Sequence, residues 1–175
     1  MTPPAPNHPA TPDDLFARLK QLGVTVSTVT HPAAFTVEEG ERHIGHLPGV
    51  HIKNLFLCDA KKRMWLVVAP SSRRIDLKML PDLIGAARLS FGSSDRLLRV
   101  LGVTPGSVTP FSVINDPDAQ VQVILDAWMM DQTLINAHPL INTMTTTISP
   151  AELMVFLVAC GHAPRVVKLD RMDAG

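Results

Sequence analysis

Gly49–Trp65 reads GVHIKNLFLCDAKKRMW, two apolar runs joined by a short basic segment. The pattern predicts a hairpin: one strand over 50–59, a turn at AKKR, and a second strand over 64–70. Successive strand side chains point to opposite faces. Lys53 therefore shares a face with Leu55 and Leu57, and Asn54 shares the other with Ile52 and Phe56. Both faces read as apolar, so this strand is expected to be covered on both sides. Lys53 and Asn54 are then the anomaly, because a polar group buried without a partner is costly.

Working outward, the neighbouring segments alternate between helical and strand patterns. Thr11-Pro12 is a helix start with Asp13 and Asp14 in the first turn, Leu15, Leu19 and Leu22 recur at helical spacing, and Gly23 ends the run. VTVSTVTH (Val24–His31) is β-branched and alternating. Thr36 with Glu39 opens a short helix to about Leu47. DLKMLPDLIG (76–85), interrupted by Pro81, and SSDRLLRVLG (93–102) read as helices, and ARLSF between them as extended. Gly102–Phe111 is a shaped loop. SVIND, VQVILDAW and PLINTMTTTIS read as strands, with turns at NDPD and around Asn136–His138. Ser149-Pro150 opens a last helix, and RVVKLD closes as a strand. Hairpins mixed with helices predict an α/β (α+β) fold, a mixed, largely antiparallel twisted sheet flanked by helices, rather than a doubly wound one. Residues 1–10 are a proline-rich lead-in, 11–170 a single domain, and 171–175 a C-terminal tail.

Composition narrows the function classes. At 175 residues, 46% hydrophobic and 18% charged, the chain has the balance of a globular protein with a sizeable core. Lys+Arg and Asp+Glu both number 16. Nucleic-acid binding must then rest on a local patch such as Lys61–Arg63, Arg73, Arg74 and Lys78, Arg88, or Arg96 and Arg99. Cys58 and Cys160 lie far apart in apolar segments and read as core thiols in a reducing cytoplasm. No signal peptide or membrane-spanning run is visible, so the expected location is cytoplasmic.

The candidate chemistry is sparse. Lys53 either snorkels to the surface or reaches a cleft and binds an anion or a carbonyl. Asn54 either pairs with backbone or contacts a ligand. Gly106 lets backbone amides approach a ligand closely, and Pro105 and Pro110 would stiffen that loop. Rigid amide donors stabilise charge on a reacting carbonyl. His138, in NAHPLINT (136–143), is structural or orients a hydroxyl or water. His43, His46 and His51 raise a metal question that no cysteine pair or HExxH spacing supports. No GxSxG supports a serine triad.

HPAAFTVEE (31–39), PGVHIKNLFLCD (48–59), LGVTPGSVTPF (101–111), NAHPLINT and GHAPRVVKLD (161–170), in that order, resemble the YbaK-like aminoacyl-tRNA deacylases. The similarity is strongest to the free-standing prolyl-tRNA editing branch of ProXp-ala or PrdX type. It spans about Thr11 to Asp170, and its specific marks are KNLFL and the GxxxP loop, here Gly106–Pro110. The resemblance implies a YbaK-like fold and hydrolysis of mischarged Ala-tRNA(Pro) in trans, without metal or other cofactor. Lys53 matches the family's essential lysine, Asn54 its following asparagine, Gly106 and Pro110 the ends of the loop, and His138 an active-site histidine. Phe35 and Thr36 are expected to shape the alanyl pocket and Arg88 to contact the acceptor stem. The implied partners are the acceptor end of tRNA(Pro) and, as a candidate, prolyl-tRNA synthetase, with no membrane. Other branches clear other small amino acids, so cysteine and serine stay open, as does a non-catalytic tRNA- or synthetase-binding module.

Overall fold

A computed structural model describes residues 8–34 and 36–174. Among them, the strands are β1 (Ser27–Thr30), β2 (Val50–Asp59), β3 (Met64–Pro70), β4 (Leu89–Phe91), β5 (Val121–Asp126), β6 (Ile135–Ala137), β7 (Met144–Ile148) and β8 (Arg165–Val167). The helices are α1 (Pro12–Gln21), α2 (Val37–Ile44), α3 (Leu80–Ile84), α4 (Ser94–Leu101), α5 (Ala127–Met130) and α6 (Pro150–Ala159). Four helices start where a hydroxyl residue can cap them. Thr11, Thr36, Ser93 and Ser149 each accept the amide of the residue three positions on, satisfying a donor the helix cannot.

The hairpin of β2 and β3 is the centre of the sheet, in register from Ile52 opposite Pro70 to Cys58 opposite Met64. Its turn is closed by Asp59, whose Oδ1 accepts the amides of Lys61 and Arg63 at 3.0 and 2.9 Å. On β3's outer side lie β5 and then β8, both parallel. From β2 the sheet continues through β6, parallel, to β7 and β1, both antiparallel. Antiparallel pairs predominate, and helices flank the sheet, as expected.

Both faces of the hairpin are buried. Phe56, Leu66 and Val68 pack with Leu15 and Leu19 of α1, Leu97 and Leu101 of α4, and Leu153 and Phe156 of α6. Leu57, Trp65, Val67 and Ala69 pack with Leu80 and Ile84 of α3 and with Leu169 and Met172 near the C-terminus. Each of the valine, leucine, isoleucine, phenylalanine and methionine side chains among them contributes about 1.5–3 kcal/mol when fully buried. The alternation read from the sequence thus separates two cores.

One feature of the topology positions the site. Two strands share β2's edge opposite β3: β6 pairs with Val50 and His51, and β4 pairs with Leu57 to Asp59. Between them, no strand among the described residues pairs with this edge of β2. The sheet splits there.

Several expected elements take another form. SVIND is not a strand but part of a 3-10 helix at Pro110–Asn115, started by the fixed φ of Pro110 and by Thr109, whose hydroxyl accepts the Phe111 amide. Asn136–His138 is not a turn: Ile135–Ala137 is β6, held by a strand on each side. The helix expected over 76–85 begins only at Leu80, because proline is tolerated in a first turn and Pro81 takes that place. RVVKLD is strand only to Val167, after which a 3-10 helix runs over Leu169–Ala174. Met172 is 3% exposed, so the residues expected as a tail pack on the body. At the other end, the Ala10 amide donates to Asn115 Oδ1 at 2.9 Å. Residues 1–7 of the expected lead-in, and Phe35, lie outside the described residues.

Candidate active site

The split in the sheet holds a cavity of about 220 Å3. That is below the roughly 300–1,000 Å3 of sites for drug-sized ligands and suits a small group at the end of a larger molecule. Asn54 contributes from β2, Asn136 and Ala137 from β6, His138 from the residue after β6, and Thr145 from β7. Gly40, Glu41 and Ile44 of α2 form another part of the wall. Asn54 and His138, far apart in sequence, are therefore brought together.

Asn54 sits where the strand pattern demands an inward residue, but its Oδ1 is buried without a hydrogen-bond partner. His51, also on the cavity wall, has a buried Nδ1 in the same condition. Buried polar atoms are nearly always paired, so both atoms are open to a partner that enters the cavity, a ligand or water. Asn136, by contrast, is held firmly: it donates to the Pro48 carbonyl at 2.9 Å and accepts from the Thr147 hydroxyl.

His138 is oriented by the chain that follows it. Its Nδ1 lies 2.8 Å from the Met144 carbonyl, which can only accept. Nδ1 therefore carries the proton, and Nε2 is left with a lone pair. Burial holds the imidazole below the usual histidine range. The bond to Met144 works against that, and His31 reinforces it. The His31 ring is 6.2 Å from that of His138 and stacks on His43 of α2 at 6.3 Å. His31 is itself tied through Nδ1 to the Pro32 carbonyl, so its Nε2 accepts from the Thr145 hydroxyl at 2.8 Å.

Lys53 is not among the residues lining the cavity. It lies half-buried on the opposite face of β2, across from Ala69. Burial pulls its ammonium below the usual lysine range, and the Arg73 charge pushes the same way. Arg73 is neutralised by Asp126 at 3.0 Å and by Asp173. Among the described residues, Lys53 has no carboxylate partner.

Gly106 does not line the cavity either. It is exposed with φ +91°, and a Cβ there would meet only Asn142 Nδ2, at 3.6 Å. The backbone conformation, not crowding, calls for glycine. Its loop thus abuts the segment between His138 and β7. Pro110 is buried in the first turn of the 3-10 helix, Thr36 caps α2 from an exposed position, and Arg88 is exposed before β4. Asn136 and Thr145 line the cavity without having been singled out from the sequence, and His51, which also lines it, was considered there only for metal. Asn136 was visible in NAHPLINT, but nothing local marks Thr145.

Residues 31–156, well over half the chain, match the family model described as the aminoacyl-tRNA editing domain. The chain is 37% identical over 156 residues to the prolyl-tRNA editing protein ProX of Acetoanaerobium sticklandii, covering 89% of this chain and 95% of that one. It is 38% identical over 154 residues to prolyl-tRNA synthetase associated domain-containing protein 1 of Danio rerio, covering 87% and 84%. A solved structure described as "a putative trans-editing enzyme for prolyl tRNA synthetase" superposes with a TM-score of 0.68 at 20% identity, over 91% of this chain and 98% of that one. Such identity speaks to the fold, which is the same. No helix among the described residues is long and apolar enough to cross a membrane. With the family model and two relatives above 30% identity in agreement, the chain belongs to the aminoacyl-tRNA editing domain family and is a deacylase that hydrolyses the ester between an amino acid and its tRNA.

Proposed function

We propose that this protein hydrolyses Ala-tRNA(Pro) in trans, in the cytoplasm, clearing an error of prolyl-tRNA synthetase. A synthetase pocket sized for proline cannot strongly reject alanine, because a missing methylene changes binding by only about 1–3 kcal/mol. A second site that admits the smaller residue supplies the remaining accuracy. The observation that carries this reading is the small cavity in the split sheet, where Asn54 and His138 meet. The names of the relatives, ProX among them, point to the same tRNA.

In this reading the alanyl group enters the cavity, and a donor of the substrate, its α-ammonium or a ribose hydroxyl, satisfies Asn54 Oδ1. Lys53 takes a phosphate at the terminal adenosine from the other side of β2, across the edge that no strand covers. Water attacks the ester carbonyl, assisted by the ribose hydroxyl beside it, and His138 Nε2 accepts the proton. The ester C–O bond breaks, the ribose oxygen is reprotonated, and alanine and tRNA leave. Positioning supplies much of the rate. Amides of the Gly106 loop reach the carbonyl only if the substrate extends past Asn142. Thr36, at the start of α2, shapes the mouth, Pro110 stiffens the loop, and Arg88 contacts the acceptor stem.

A panel of charged tRNAs tests this. Purified protein is expected to deacylate Ala-tRNA(Pro) faster than Pro-tRNA(Pro). Equal rates on the two would overturn the proofreading role. A serine hydroxyl could also donate to the orphaned Asn54 oxygen, so Ser-tRNA and Cys-tRNA belong in the same panel, and preference for either would reassign the substrate.

A further inference from the structure

Phe91 is 65% exposed, more than any other large apolar side chain among the described residues. It is not loose. β4 pairs it with Leu57 of β2, and the next residue, Gly92, passes so close to Phe56 that a Cβ would lie 2.4 Å from its ring. The Gly92 amide also donates to the Phe56 carbonyl at 2.9 Å. The chain thus holds an aromatic ring outward on a fixed backbone.

Its register places it relative to the proposed phosphate site. Phe91 lies opposite Leu57, which shares a face of β2 with Lys53. Leu57 is four residue steps on from Lys53, about 13 Å along the strand. Beyond Phe91, the Ala60 amide donates to the Arg88 carbonyl, which joins Arg88 to the turn carrying Lys61 and Lys62. These three cations are exposed, and none has an ion pair among the described residues. The order along this margin of the sheet is a cation without a carboxylate, an exposed aromatic ring, and three further cations.

We infer that Phe91 is a stacking platform for an unpaired base at the 3′ end of the tRNA. Single strands are recognised by bases stacked on aromatic rings with cations following the backbone, and this margin supplies both. The inference rests on the proposed placement of the terminal phosphate at Lys53. It adds that the chain grips the acceptor end at a second point, away from the reacting ester.

The test separates the two. Uncharged acceptor-end RNA hairpins, with 2-aminopurine at each unpaired position in turn, are titrated with wild type, Phe91→Trp and Phe91→Leu. Stacking quenches the fluorophore. One position is expected to be quenched by wild type and Phe91→Trp, whereas Phe91→Leu loses the quench and binds about tenfold more weakly. Equal binding and quenching with leucine would overturn the inference. This assay needs no hydrolysis, so its result stands whatever the deacylation panel returns. On Ala-tRNA(Pro), Phe91→Leu is expected to raise KM about tenfold and leave kcat unchanged. A fall in kcat with unchanged KM would count against stacking.

Discussion

Two ends of one strand treat polar groups in opposite ways. At the end of β2, Asp59 is buried and uses both oxygens: the amides of Lys61, Arg63 and Ala87, the Arg63 guanidinium and the Trp65 indole all donate to it. A few residues earlier, Asn54 Oδ1 has no partner and Lys53 has no carboxylate. A polar residue that builds the fold is satisfied from within the chain. Asn54, left incomplete beside the cavity, and Lys53, on the other face of the strand, are the two groups that the proposed function assigns to the substrate.

The largest effect expected from this contrast is on activity. Lys53→Ala should lower kcat/KM for aminoacyl-tRNA about a hundredfold or more, through loss of a charged contact, with little change in melting temperature. Full activity in this variant would break the comparison at once, since Lys53 would then be a surface lysine.

Asp59→Asn should do the reverse. It removes the charge that five donors address, so the protein loses about 2–3 kcal/mol of stability while the folded fraction keeps its activity. Burial alone would raise the Asp59 pKa, but the hydrogen bonds from Arg63, Ala87 and Trp65 outweigh it and hold it at about 2, against 3.8 for a free aspartate. The folded value is the lower one, so the stabilisation is complete above about pH 4 and is lost as pH falls toward 2. Denaturant melts of wild type and Asp59→Asn should therefore differ at pH 7 and converge near pH 2.

The same contrast explains what could be read in advance. The strands at 50–59 and 64–70 were legible because apolar residues on both faces and a basic turn leave few alternatives. The starts of α1, α2, α4 and α6 were legible because capping is local chemistry. β6 was not, since its three residues become strand through Val50 and His51 on one side and Thr147 and Ile148 on the other, pairings remote in sequence. SVIND misled for the opposite reason: its β-branched residues suit a strand, but no strand among the described residues pairs with them. At the site, Asn54 and His138 stood out individually, whereas the cavity that unites them exists because β6 and β4 pair with different ends of β2. The strand pattern did separate Lys53 from Asn54, which is why the cavity shows only one of them.

His138 sharpens the comparison through pH. Its folded pKa is lowered by burial, so the neutral form that can accept a proton at Nε2 persists below the usual histidine range. The kcat/KM profile should be flat around neutrality, with an acid limb falling at a pH below that of an ordinary histidine. His138→Gln should remove that limb along with most of the rate. An acid limb that survives the substitution would assign the titration to another group.

The smallest expected effect is also the sharpest. If Asn54 Oδ1 serves only a ligand, the folded protein gains nothing from it, and its desolvation is a standing cost. Asn54→Leu keeps nearly the same volume and removes that cost, so stability should hold or rise by up to about 1 kcal/mol while deacylation falls. An asparagine that secretly bonded backbone would behave otherwise, because leucine would orphan its partner and cost about 1–3 kcal/mol. The sign of the shift in a denaturant melt decides between them. Activity alone cannot, since either role predicts its loss.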